Sequence, residues 1–284
     1  MRSKIVRHNI SICMSAYNGA KYISPQIDSI LSQTYQQWRL FVRDDGSSDN
    51  TLVIINEYVS KYPEKIRLVD DNLGRLGPSL NFGKLLEFAD SEYIMFCDQD
   101  DVWLPNKIEL TLNAMEIAEK LYPQKPILVH TDLRVVDNEL NMISDSLWDY
   151  QLLFPDIANN PARIMAHNVV TGCTVMINKP AKAISTPIPR EALMYDWWIA
   201  IKASKAGKIV HVSTPTVLYR QHSDNECGAK CARYVNIFIF FKKLYHVRKL
   251  LSAQYKMITK ADPNASFWSM VFNKFRIKIS QRCR

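Results

Sequence analysis

Asp98-Gln99-Asp100-Asp101 places three carboxylates within four residues, directly after the apolar run Tyr93-Ile94-Met95-Phe96-Cys97 and before Val102-Trp103-Leu104-Pro105. An apolar run of that length ending in polar residues predicts a buried strand with the acids at its exit. Clustered carboxylates repel one another unless something compensates them. A hard divalent cation does so, because Mg2+ or Mn2+ takes oxygen ligands and often shares them with the phosphate oxygens of a substrate. The competing reading is a solvated acidic loop that caps the next helix, a position where Asp is common.

The elements that must position this cluster follow from the periodicity. Asn9 to Met14 predicts a first strand, closed by the turn residues Ala16-Tyr17-Asn18-Gly19. Ile23, Ile27, Ile30 and Leu31 share one face of a helix from about Tyr22 to Ser32. Trp38 to Val42 predicts a second strand, closed by Arg43-Asp44-Asp45-Gly46-Ser47-Ser48-Asp49, with Asp49 able to cap a helix through Val53, Ile54 and Tyr58. Lys65 to Val69 is a third strand, and the loop from Asn72 to Gly77 leads into a helix from about Pro78 to Phe88. A helix from Pro105 to about Leu121 follows the acidic cluster, with proline at its first position.

Strands and helices that alternate at this spacing predict an α/β fold with a largely parallel sheet. Ligands of such sheets sit beyond the carboxyl ends of the strands. The loops Ala16–Gly19, Asp44–Asp49 and Asp98–Asp101 should therefore converge on one edge. The second half is less regular. Ile127–His130 continues through Leu133–Val136. Val169–Ile177 reads as a strand kinked at small residues, Met194–Trp198 opens a helix to about Ala206, and Lys208–Val212 and Thr216–Tyr219 read as two short strands.

Of the 284 residues, 47% are hydrophobic and 23% charged, which excludes a disordered chain and fits one large domain, with or without an appendage. Six cysteines at this length are no disulfide framework, and Cys13 and Cys97 fall in predicted strands as small core residues. Cys227-x-x-x-Cys231 with His222 has a zinc-compatible spacing but lacks a second Cys/His pair. Without a signal-peptide core or an 18-residue apolar stretch, the expectation is a protein of the reducing cytoplasm. The net charge of +8 is uneven: residues 228–284 carry 13 Lys/Arg against one acid, Asp262. That tail also carries the aromatic runs Tyr234–Phe241 and Phe267–Phe272. Basic and aromatic residues together suit a helix lying on an anionic membrane surface, although plain packing on the main domain and nucleic-acid binding are rival readings.

Taken in order, Ser15-Ala16-Tyr17-Asn18-Gly19, Arg43 to Thr51, Asn72-x-Gly74 and Asp98–Asp101 with Pro105 resemble the family 2 glycosyltransferases, whose nucleotide-sugar-binding fold is called GT-A. The resemblance runs from about Ile10 to Asn225. Asp98-Gln99-Asp100-Asp101-x-Trp103, Thr171-Gly172-Cys173 and Arg220-Gln221-His222-x-x-Asn225 are similar to the bacterial rhamnosyltransferase branch. It implies a GT-A domain over 1–227, with a donor-binding half of about 1–125 and an acceptor-binding half of about 126–227, followed by a basic helical extension over 228–284.

Position by position, the resemblance implies that Ala16, Tyr17, Asn18, Arg75, Asn81, Asp98 and Gln99 contact the nucleotide sugar, and that Asp44 or Asp45 accepts from the pyrimidine N–H. It implies Asp98 and Asp100 as holders of a divalent cation, with His222 approaching the ion or diphosphate. Asp196 falls at the family's catalytic base, although the residue before it, normally acidic, is Tyr195. Thr171, Gly172, Trp197 and Trp198 would lie toward the acceptor. Bland readings stand beside these: Asp196 as a helix cap, Asp45 and Asp49 as turn residues, His222 as a bonded loop residue, the tryptophans as core, and Arg75 as surface cover. The implied reaction is an inverting, metal-dependent transfer from a nucleotide sugar. By resemblance the donor is dTDP-L-rhamnose, with a UDP-sugar as the alternative. The acceptor is a glycan, free or polyprenyl-linked, at the inner face of a bacterial plasma membrane. A non-enzymatic nucleotide- or nucleic-acid-binding protein is the remaining alternative.

Overall fold

The computed structural model describes residues 8–222 and 244–282. Cys227, Cys231 and the aromatic run 234–241 lie outside these residues. The N-terminal part alternates β1 (Ile10–Ala16), α1 (Ile23–Leu31), β2 (Trp38–Asp44), α2 (Thr51–Lys61), β3 (Ile66–Leu68), α3 (Pro78–Phe88) and β4 (Tyr93–Asp98). Then come β5 (Val102–Trp103), α4 (Lys107–Leu121), β6 (Ile127–Val136), β7 (Met142–Ser144), α5 (Leu147–Gln151) and α6 (Pro161–Ala166). The domain continues with β8 (Met176–Asn178), α7 (Lys179–Ser185), α8 (Tyr195–Ala206) and β9 (Lys208–Arg220), and α9 (Leu244–Ala261) and α10 (Phe267–Arg282) follow.

Among the described residues the strands form one mixed sheet in the order β3-β2-β1-β4-β8-β6-β9-β5, with β7 paired to β6. β3, β2, β1 and β4 are parallel, as the alternating pattern predicts. β8 enters antiparallel beside β4, and β6 runs antiparallel to β8. The central strands are buried on both faces, which is why they read as unbroken apolar runs. Ile12 and Met14 of β1 face a layer holding Ile23, Ile27 and Ile30 of α1 and Ile108, Leu112 and Met115 of α4. Cys13, between them, faces the opposite layer, with Phe82, Leu85 and Leu86 of α3 and Ile199 and Ala203 of α8.

The structure corrects three readings. Of Val169–Ile177, only the end is strand: Gly172–Thr174 forms a 3-10 turn, and β8 begins at Met176. The Thr171 carbonyl accepts both the Thr174 N–H and the Thr174 hydroxyl, so local bonds replace ladder bonds there. The two short strands after α8 are one strand, β9, parallel to β6 with register shifts near Asp132. Pro215 interrupts the ladder without ending it, because the shift accommodates its missing N–H. Pro105 lies ahead of α4, where its carbonyl accepts the Thr34 N–H at 2.9 Å.

α9 and α10 pack their inner sides on the domain, burying Met257, Ile258, Ala261, Met270 and Ile277 in the same layer as α6 and α8. Gln254 of α9 donates to the Met165 and Ala166 carbonyls of α6, and Lys274 of α10 donates to Gln254 Oε1 at 2.6 Å. No described helix is long and apolar enough to cross a membrane.

Candidate active site

Strand register brings the three polar loops to one level. Ala16, the last residue of β1, pairs with Asp44 at the end of β2, and Ser15 pairs with Asp98 at the end of β4. Residues 16–19, 44–49 and 98–101 therefore leave the sheet side by side. The first loop is bound to both neighbours. Gln99 Oε1 accepts the Tyr17 N–H at 2.9 Å while its Nε2 donates to the Tyr17 carbonyl at 2.8 Å. The Asn18 N–H donates to Ser47 Oγ, Asn18 Oδ1 accepts the Ser48 N–H, and the Gly19 N–H donates to Thr51 Oγ1, each at 2.8 Å. Asn18 holds φ 46°, a left-handed conformation that Asn tolerates.

The two candidate base-binding aspartates differ in environment. Asp45 is buried and fully engaged, accepting from Arg43 Nη1 and the N–H groups of Leu76 and Gly77. Asp44 is partly exposed and closes a turn, accepting the Gly46 and Ser47 N–H groups and the Ser47 hydroxyl. Asn81 is buried one layer down, donating to Ser15 Oγ and accepting from Arg43. Arg75 is exposed, its guanidinium 4.0 Å from the Tyr17 ring centre.

The acids divide into two adjoining groups. Asp100 Oδ2 lies 2.9 Å from His222 Nε2, and the His222 ring stacks on Tyr22 at 4.7 Å. Asp98, Asp101 and Cys173 offer ligand atoms within 4.8 Å of one another. Burial and the neighbouring Asp100 and Asp196 charges push the Asp98 carboxyl up to about 8. Asp101 is fully buried and raised by that burial and by Asp100 and Asp98. Its Oδ1 accepts the Arg220 N–H at 3.1 Å, fixing the end of β9. Lys107, fully buried, lies near enough to feel the Asp101 charge, although burial draws its own value down to about 8. Burial holds the Cys173 thiol well above its ordinary value. The carboxylate oxygens of both groups and the His222 imidazole are donors of a kind that Mg2+ or Mn2+ takes.

Asp196, in the first turn of α8, is buried and accepts from the Trp197 N–H at 2.5 Å, the Gly172 N–H and the Asn168 amide at 3.4 Å. Burial outweighs these bonds and lifts its carboxyl to about 7. Cap and candidate base are thus compatible roles for one side chain. Tyr195, before it, stacks on Phe82 at 4.0 Å, and its hydroxyl abuts Gly172 so closely that a Cβ there would overlap it. Thr171 sits at the head of the same turn. Trp198 is buried with its indole N–H donated to the Ser185 carbonyl, a core residue. Trp197 is half-buried, and its indole N–H donates to the Ile164 carbonyl.

The structure thus gathers Tyr17, Asn18, Asp44, Asp98, Gln99, Asp100 and His222 at the strand ends. Asp45, Asn81 and Trp198 are buried, with their polar groups bonded within the protein. Asn168 and Lys107 were not singled out from the sequence. Asn168 stands between His167 and Val169, and Lys107 comes two residues after Pro105, so neither stands out by type or spacing.

A mixed α/β sheet with acids at its parallel strand ends and a buried carboxylate near them has the GT-A architecture of glycosyltransferases. The chain belongs to glycosyl transferase family 2, whose family description matches residues 11–154. It is similar to the dTDP-rhamnosyl transferase RfbG of Shigella flexneri, 28% identical over 257 residues and 84% of each chain. It is also similar to UDP-Glc:alpha-D-GlcNAc-diphosphoundecaprenol beta-1,3-glucosyltransferase WfgD of Escherichia coli, 37% identical over 37% of this chain and 40% of that one. In structure it is similar to the mannosyltransferase PcManGT of Pyrobaculum calidifontis in complex with GDP-Man and Mn2+. That match has a TM-score of 0.61 and 14% identity, over 98% of this chain and 76% of the other.

Proposed function

We propose that this glycosyltransferase moves L-rhamnose from dTDP-L-rhamnose to a hydroxyl of a polyprenyl-linked glycan during bacterial surface-polysaccharide (O-antigen) synthesis. Similarity to RfbG along most of both chains supports the donor. The observation that carries the reaction type is Asp196, a buried carboxylate held by Trp197, Gly172 and Asn168 and raised to about 7. A carboxyl in that range is matched to taking a proton from a sugar hydroxyl near neutral pH. Attack assisted by Asp196 from the side opposite the leaving diphosphate inverts the anomeric carbon in one displacement.

The first loop and Asp44 hold the nucleotide, with Tyr17 and Arg75 flanking the base. Asp98, Asp100 and His222 would hold a divalent cation, which when bound supplies charge neutralisation of the departing diphosphate. Thr171, Gly172 and half-buried Trp197 border the acceptor side. In this reading residues 1–125 serve the donor, 126–227 the acceptor, and the basic 228–284 extension an anionic membrane at the cytoplasmic face. Nucleic acid is no partner here.

A UDP-hexose donor is the second reading, favoured by the similarity to WfgD. Donor hydrolysis by purified protein should be measured with dTDP-L-rhamnose, UDP-glucose and UDP-galactose, each with Mn2+ and with EDTA. The proposal expects turnover chiefly with dTDP-L-rhamnose and only with metal. Preference for a UDP-sugar overturns the donor, and undiminished turnover in EDTA overturns the cation.

A further inference from the structure

α10 carries apolar side chains on two opposite sides. Its inner side, Met270 and Ile277, is buried against the domain. On the other side Trp268, Phe272, Phe275 and Ile279 recur at spacings of four, three and four residues, and all four are exposed. At about 100° per residue these four fall within roughly 60° of arc, a single stripe facing away from the protein. Trp268, at 76%, is the most exposed large apolar side chain among the described residues. Exposed cations flank the stripe: Arg276, whose guanidinium sits over the Phe272 ring at 5.8 Å, on one side and Lys278 on the other. The lone acid of the 228–284 tail, Asp262, is occupied at 3.0 Å by Lys205 of α8.

We infer that this stripe is the surface by which the protein lies in the interface of an anionic bilayer. Trp268, Phe272, Phe275 and Ile279 would enter the headgroup–acyl boundary, and Arg276 and Lys278 would meet lipid phosphates. The inference deepens the membrane reading of the basic extension and rests on it. A second copy of the chain is a poorer occupant, because two such stripes face to face bring their flanking cations together. The docked face is tied to the chemistry. α10 packs on α6, and the chain leaving α6 carries Asn168, which donates to Asp196. In the proposed function, a bilayer against α10 would lie on the side of α6 and of the Asn168 that bonds Asp196.

The test uses full-length protein and two sets of vesicles, neutral phosphatidylcholine and the same lipid with phosphatidylglycerol. Sedimentation should show binding to the anionic set that weakens about tenfold or more in Phe272→Ser/Phe275→Ser, because two buried aromatic contacts are lost. Both side chains point outward, so folding is kept. Transfer to a water-soluble acceptor should be unchanged in this variant, which separates failure of the membrane surface from failure of the transfer reaction. Brominated lipids should quench wild-type fluorescence, and Trp268→Phe should abolish that quenching. Equal binding by the double variant overturns the inference. So does equal binding to neutral vesicles, or a Trp268 that bromine cannot reach because another protein segment covers it.

Discussion

Gln99 grips Tyr17 by both polar groups of its backbone, accepting the N–H at 2.9 Å and donating to the carbonyl at 2.8 Å. One residue of the acidic loop thereby sets the conformation of the loop after β1. The clamp also explains Gly19, where any Cβ would overlap the Gln99 amide.

Gln99→Ala should release that loop without touching the acids. Two partly buried backbone groups lose partners, at a cost of about 1–3 kcal/mol. We expect the donor KM to rise roughly tenfold with a smaller change in kcat, because the loop must be ordered before the base can stack. Steady-state kinetics on the variant would check this. A fall in kcat alone would assign Gln99 to the chemical step instead.

Asp196→Asn should lower kcat by about 10²–10⁴-fold, the usual worth of a positioned base, and leave donor affinity near wild type. The same change should stabilise the protein at pH 8. Asp196 is raised from 3.8 to about 7 in the folded chain, so its native carboxyl keeps a proton the unfolded one has lost. Stability linked to this group is complete below pH 4 and is lost as pH climbs through about 7. Removing the charge should recover on the order of 2 kcal/mol at pH 8 and little at pH 4. Melting curves at the two pH values decide it.

The pH–rate profile follows from the same carboxyl. A base at about 7 must be unprotonated to accept a proton, so kcat/KM should fall about tenfold per pH unit below that value. Asp196→Asn should flatten this acid limb. A limb that persists in the variant assigns it to another group.

Chelation should reveal the cation. EDTA should abolish transfer, and Mn2+ or Mg2+ should restore it. Asp100→Ala, which also removes the carboxylate partner of His222 at 2.9 Å, should raise the metal requirement by about 10–100-fold. Titrating activity against Mn2+ in both proteins measures the shift.

Gly172→Ala should be destabilising by about 1–3 kcal/mol, because the new methyl overlaps the Tyr195 hydroxyl and both lie in packed core. It should also displace the N–H that Asp196 accepts, so kcat should drop with stability. Thermal melting with kinetics on the folded fraction separates the two.

Much of the donor half was legible because its strands are long apolar runs closed by Asn, Asp, Gly and Ser. β1, β2 and β4 and the loops after them stand where the pattern puts them. The second half was harder, since Gly172–Thr174 folds locally against Tyr195 and β5, β7 and α5–α7 are too short to show a period. Within the site, residue type indicated acids and tyrosine but not depth. Asp44 and Asp45 are neighbours in sequence, yet only the structure separates a partly exposed turn residue from one locked by Arg43. Asn81 and Trp198 likewise lie buried, with their polar groups bonded inside the protein, which residue type alone does not tell.

The paired ends of β1, β2 and β4 carry an implication for how such enzymes can vary. A residue added to or lost from any one of these strands would slide its loop by about 3.3 Å and turn its side chains to the other face of the sheet. The three loops would then no longer leave the sheet at one level. New substrate preferences are therefore open to substitution within the loops, while the length of the scaffold beneath them is held fixed.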